Sequence, residues 1–194
     1  MYKALLLLVA FLFVSTGAHA QNEQPLLMQQ PTLNATHIVF VYGGFLWSVD
    51  RKGGTALRLT SGPGAASNPK FSPDGKSIAF TGRYNGNANV YLMPAEGGQP
   101  RQLTYSSGDD LVEGWAPDGR SVLFQSLRDS FSSRYKQLYT ISVDGGYAKT
   151  LPLPAGYEAS YSPDGNHLAY TPLPREIFFG GGDSFVHEIG RAHV

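Results

Sequence analysis

One tight turn is written three times in this chain. Ser72-Pro73-Asp74-Gly75, Ala116-Pro117-Asp118-Gly119 and Ser162-Pro163-Asp164-Gly165 are copies, 44 residues from Asp74 to Asp118 and 46 from Asp118 to Asp164. Pro presets φ at the second position of a β-turn, and Asp and Gly accept the conformations that follow it. A second marker keeps the same period: a Gly pair at Gly53-Gly54, Gly97-Gly98 and Gly145-Gly146, spaced by 44 and 48 residues. A third is Leu59-Thr60 and Leu103-Thr104, again 44 apart. Three markers on one period define a repeat architecture before any single motif is weighed.

Each period holds four short strand-like runs. In the clearest copy these are Asn68 to Phe71, Ser77 to Thr81, Asn89 to Met93 and Arg101 to Thr104. The next copy runs Val112 to Trp115, Ser121 to Gln125, Gln137 to Ser142 and Ala148 to Leu151. The second runs are nearly continuous in apolar residues, as in His37 to Tyr42 and Ser121 to Phe124, which is how strands read when both sheet faces are covered. With 23 Gly, 13 Pro and 24 aromatic residues, the composition suits an all-β chain rich in turns. Four antiparallel strands per 44–48 residues is the unit of a WD40-like β-propeller blade. The expected fold is therefore an open all-β fragment of about three and a half blades, at about 33–61, 68–104 and 112–153, with a half blade at 158–174. Asn34-Ala35-Thr36 stands where the first Ser-Pro-Asp-Gly turn would be.

The ends read differently. Lys3, the apolar run Ala4 to Val14 and the small-x-small site Ala18-His19-Ala20 form the pattern of a secretory signal over 1–20. The run is too short to span a bilayer, so cleavage after Ala20, no membrane anchor, and a periplasmic or secreted product are expected. The chain has no cysteine, so neither a lipid-bearing N-terminal Cys nor a disulfide is available. Residues 21–176 are assigned to the partial propeller and 177–194 to a non-native tail without ordered structure. Glu188-Ile-Gly-Arg-Ala-His-Val194 can be written GAG ATC GGA AGA GCA CAC GTC, which resembles a widely used sequencing adapter, so a truncated reading frame with an artefactual end is expected.

No residue presents itself as catalytic, cofactor-binding or metal-ligating. Asp74, Asp118 and Asp164, with Ser72 and Ser162, read as turn residues. His37 and His167 each begin a second strand. The acidic pair Asp109-Asp110 reads as a solvated loop, Asn34-Ala35-Thr36 as a plain turn, and Gly180-Gly181-Gly182 lacks the helix and lysine of a phosphate loop. A net charge of zero leaves no basic stripe for nucleic acid. Peptide or protein partners would meet the loops between strands, at Asn85-Gly86-Asn87 and along 126–136, where Arg128, Phe131, Arg134 and Tyr135 cluster.

The opening Pro25-Leu-Leu-Met-Gln-Gln-Pro31, followed by His37-Ile-Val-Phe40 and Phe45-Leu-Trp47, resembles that of bacterial tricorn-type peptidases. So do Asn68 to Thr81, Val90 to Gly98, Gly114 to Gly119, and Tyr161 to Gly165 with Ala169 to Pro174. The resemblance covers about 25–175. It implies a six-bladed propeller first, then a seven-bladed one, a PDZ-like domain and a serine peptidase core whose catalytic groups have no matching position here. It implies a scaffold and substrate-access role for this part, no cofactor, and leaves room for oligomers of the full-length protein. The family's first described members act inside the cell, from which the signal departs. Two other readings stay open. One is a non-enzymatic periplasmic propeller resembling the Tol–Pal translocation component, in which an α/β domain precedes the propeller. The other is a propeller joined to an amidohydrolase.

Overall fold

The computed structural model describes residues 27–130, 135–173 and 190–193; the signal pattern, Phe131, Arg134 and Gly180-Gly181-Gly182 lie outside these. It is all-β. The first sheet joins β1 (Gln29–Leu33), β2 (His37–Tyr42), β3 (Phe45–Asp50) and β4 (Leu57–Arg58). The second joins β5 (Ala65–Phe71), β6 (Ser77–Asn85), β7 (Asn87–Pro94) and β8 (Arg101–Gln102). The third joins β9 (Asp110–Trp115), β10 (Ser121–Ser126), β11 (Gln137–Ser142) and β12 (Lys149–Thr150). The fourth has β13 (Gly156–Tyr161), β14 (His167–Pro172) and β15 (Gly190–His193). Every pairing is an antiparallel meander between chain neighbours. The arrangement is open, with four sheets stacked as successive blades.

Period-two alternation explains the stacking. In β6, Ile78 and Phe80 turn to the first blade and meet Val39, Val41 and Leu46. Ala79, between them, turns the other way and joins Val122, Phe124, Tyr139 and Ile141 of the third blade. In β10, Leu123 points away from that cluster and packs with Leu168 and Tyr170 of the fourth. Because side chains alternate across a strand, one sequence run feeds two cores. Phe80, Phe124 and Leu123 are fully buried, and covering each side chain stabilises the fold by roughly 1.5–3 kcal/mol.

The blades begin earlier than expected. β1 places the start of the first blade at Gln29 rather than 33, and β13 opens the fourth at Gly156 rather than 158. The first strands are longer than their apolar residues because a bulge interrupts each one. The fourth blade also differs: Gly190–His193 pairs with His167–Tyr170 as a third strand, while 177–189 lies outside the described residues. Ladder bonds are made by backbone groups, and the free edge of β14 accepts a short extended segment of almost any sequence.

Candidate functional site

Three regions carry the polar groups of the blades: the turn face, the loop face and the axis.

On the turn face each Asp closes its own hairpin. Asp74 Oδ1 accepts from Ser72 Oγ at 2.6 Å and Lys76 N at 3.1 Å, while Gly75 N donates to Ser72 O. The Ser72 hydroxyl, the Lys76 amide and the lysine charge hold its carboxyl below the ordinary range. Asp164 repeats this with Ser162 Oγ and Asn166 N, and is lowered by the Ser162 hydroxyl first, then by the Asn166 amide and side chain. Asp118 accepts from Arg120 N at 2.9 Å. Ser72 and Ser162 use their oxygens on Ser77 N and His167 N. Asn34 substitutes for this motif: its Oδ1 caps Thr36 N and His37 N, and its Nδ2 crosses to Gly75 O of the next blade at 3.0 Å. His37 Nδ1 lies 2.8 Å from Thr36 Oγ1, and His167 Nδ1 4.0 Å from Asp164. Among the described residues no three His, Cys, Asp or Glu side chains gather to hold a metal ion.

The loop face corrects one expectation. Of the Asp109-Asp110 pair, Asp109 is partly exposed and ion-paired and Asp110 is buried. Asp109 is clasped by Arg83 through both guanidinium nitrogens, at 3.1 and 2.6 Å, and accepts from Ala88 N at 2.8 Å. Asp110 is fully buried at the start of β9, where Arg128 Nη2 reaches its Oδ2 at 2.6 Å. The partners come from hairpin tips of this blade and the preceding one, which is why a local reading overlooks them. Asn87 ties the β6–β7 tip to the same connection by donating to Ser106 O and Gly108 O.

Arg128, from the loop expected to bear contacts, also lies over the rings of Phe124 and Tyr139, 5.1 and 5.2 Å from their centroids. Tyr139 donates to Asp129 Oδ2 at 2.9 Å, and burial together with that carboxylate pushes its phenol up to about 12. Beside Arg128 runs a groove of about 240 Å³ flanked by Tyr105 and Tyr147, which are 80% and 97% exposed.

The axis holds a repeat that sequence reasoning missed. The first strands of successive blades touch one another, so they line the centre from which the sheets radiate. Each carries a bulge: register slips between Gln29 and Thr32, Ser67 and Lys70, and Tyr157 and Ser160, and Glu113 is the extra residue in β9. Gln30, Asn68 and Glu158 sit there at φ of 51, 50 and 52°, a conformation that side-chain-bearing residues adopt at a cost. The side chains of Gln30, Asn68 and Glu113 stitch blade to blade. Gln30 bonds Asn68, Asn68 Nδ2 donates to Val112 O at 3.2 Å, and Glu113 Oε1 accepts from Glu158 N at 3.3 Å. One signal was available: Asn68, Glu113 and Glu158 recur at 45 residues.

These features define an open β-propeller of four-stranded blades bound together at its axis and along its loop face. The model of the tricorn protease N-terminal β-propeller domain matches residues 25–178, and the chain belongs to that family. It is 32% identical over 160 residues to tricorn protease homolog 1 of Streptomyces coelicolor, covering 80% of this chain and 14% of that relative. The crystal structure of the tricorn protease superposes with a TM-score of 0.66 at 27% identity, over 76% of this chain and 15% of that one. TolB from Acinetobacter baumannii superposes with a TM-score of 0.67 at 29% identity, over 78% and 39%.

Proposed function

We propose that this chain is the N-terminal propeller part of an exported tricorn-like serine peptidase, acting in protein and peptide degradation as scaffold and access route. The observation that carries this reading is the family match across 25–178, which takes in the first three blades and β13 and β14 of the fourth. The chain spans about one seventh of the relative's length, so the peptidase chemistry belongs to domains beyond these blades. The described blades supply hydrogen-bonding groups to a polar axis, and their acids and serines on the turn face are committed to closing turns. Peptides or partner proteins meet the loop face beside Tyr105 and Arg128.

The test is the uninterrupted gene beyond codon 176, followed by labelling of its product with a serine-directed probe. A PDZ-like segment, a serine peptidase core and a labelled protein support the reading. A reading frame that closes after six blades, with an unlabelled product, overturns it. Export is tested separately by N-terminal sequencing of the mature protein from the periplasm, expected to begin at Gln21. The likeness to TolB favours a second reading, a non-enzymatic propeller that binds partner proteins. It is distinguished by that early closure and by partners captured in a cross-linking experiment.

A further inference from the structure

Seven asparagines stand in the chain, and only Asn85 is followed by glycine. Asn85 ends β6, Gly86 lies between the strands, and Asn87 opens β7. Asn85 and Gly86 are both exposed, and the Asn85 side chain makes no hydrogen bond among the described residues. Gly86 has φ of 100°, and no residue beyond its chain neighbours lies within 4 Å of where its Cβ would stand. A side-chain amide carbon is an electrophile for the backbone nitrogen that follows it, and glycine there offers the least steric resistance. The other described asparagines are guarded. Asn68 precedes Pro69, whose nitrogen has no proton to lose. Asn34 Oδ1 is held by Thr36 N and His37 N, Asn87 Nδ2 by Ser106 O and Gly108 O, and Asn166 Nδ2 by Asp164. Asn89 is buried and precedes Val90. The Pro-Asp-Gly turns share the glycine, but their carboxylates are tied to amides two residues on.

We propose that Asn85-Gly86 is a self-modification site whose conversion loosens the clasp between the second and third blades. The Gly86 nitrogen bonds to the Asn85 side-chain carbonyl carbon and gives up its proton. The bond from that carbon to the side-chain nitrogen breaks, and ammonia leaves. Water then opens the cyclic imide, at one carbonyl to give aspartate and at the other to give isoaspartate. Isoaspartate routes the backbone through the side chain and adds a methylene between residues 85 and 86. The insertion falls between Arg83 on β6 and Asn87 and Ala88 on β7. All three hold one connection. Arg83 clasps Asp109, Ala88 N donates to Asp109 Oδ1 at 2.8 Å, and Asn87 donates to Ser106 O and Gly108 O. A hairpin tip whose two arms have lost register does not satisfy all of these bonds at once.

The test ages the full chain in mildly alkaline buffer. Mass spectrometry follows the tryptic peptide 84–101, with labelling by an isoaspartate-specific methyltransferase as a second readout. The same peptide, made synthetically, gives the unrestrained rate. Asn85 in the protein is expected to convert no more than several-fold more slowly than in the free peptide, with Asn87 and Asn89 unchanged. Asn85→Gln should stay unmodified, because its longer side chain closes a less favourable ring. Converted chains, separated by charge, should lose several-fold of the hydrogen-exchange protection of the Ala88 amide. An Asn85 that stays intact while the free peptide converts would overturn the proposal. So would converted chains whose Ala88 amide is protected as before.

Discussion

Gln30 and Asn68, 38 residues apart, hold each other twice: Asn68 N donates to Gln30 Oε1 at 2.7 Å, and Gln30 Nε2 donates to Asn68 Oδ1 at 3.0 Å. The pair joins the first two blades at the axis, where the backbone of Asn68 has left the β-ladder and its N–H needs an acceptor. Gln30→Ala is expected to lower stability by about 1 kcal/mol, because both groups are open to water once the bond is lost. Gln30→Glu keeps the acceptor and should lose less. Urea midpoints with an unchanged slope would show this.

The Leu-Thr marker has a mechanism. β4 and β8 are two residues long, so the third strand outruns them. Thr60 Oγ1 accepts from Leu46 N and Thr104 Oγ1 from Val90 N, each at 2.9 Å, where the short ladder has ended. Thr104→Val keeps the shape and strands the buried amide of Val90. A loss of about 1–3 kcal/mol is expected, with Thr104→Ser close to the unaltered protein. Chemical denaturation of the three proteins measures it.

Arg128, itself 22% exposed, pairs with the fully buried carboxylate of Asp110. Arg128→Met should cost about 3–5 kcal/mol, because Asp110 is then a buried carboxylate without its partner. Arg128→Met combined with Asp110→Asn should recover part of that loss, and a double-mutant cycle reads the coupling.

Acid should weaken the connection between the second and third blades. The bonds from Arg83 hold the Asp109 carboxyl below its ordinary 3.8, helped by Ala88 N and the arginine charge and opposed by burial. A depressed value gives stability that is present above 3.8 and is lost as pH falls through the folded value. Both side chains are more than a third exposed, so the contribution is under about 1 kcal/mol. Asp109→Asn should flatten this acid-side loss in a series of thermal melts from about pH 5 to 2.5. An unchanged slope would contradict the assignment.

Much of the fold was legible because its signals are local. A Pro-Asp-Gly turn satisfies its own Asp within two residues, so Asp74, Asp118 and Asp164 could be placed without a structure. Asp109 and Asp110 could not, since Arg83 lies 26 residues before Asp109 and Arg128 18 residues after Asp110.

The sequence by itself determined the period, the hairpin turns and the two-faced apolar strands, because turn chemistry and alternation act between near neighbours along the chain. Tertiary structure alone decided which bulge residue meets which backbone amide at the axis, that Asp110 is buried, and that Thr60 and Thr104 complete the neighbouring ladder. Those bonds join groups 14 to 45 residues apart, some across the strands of one blade and some between stacked blades.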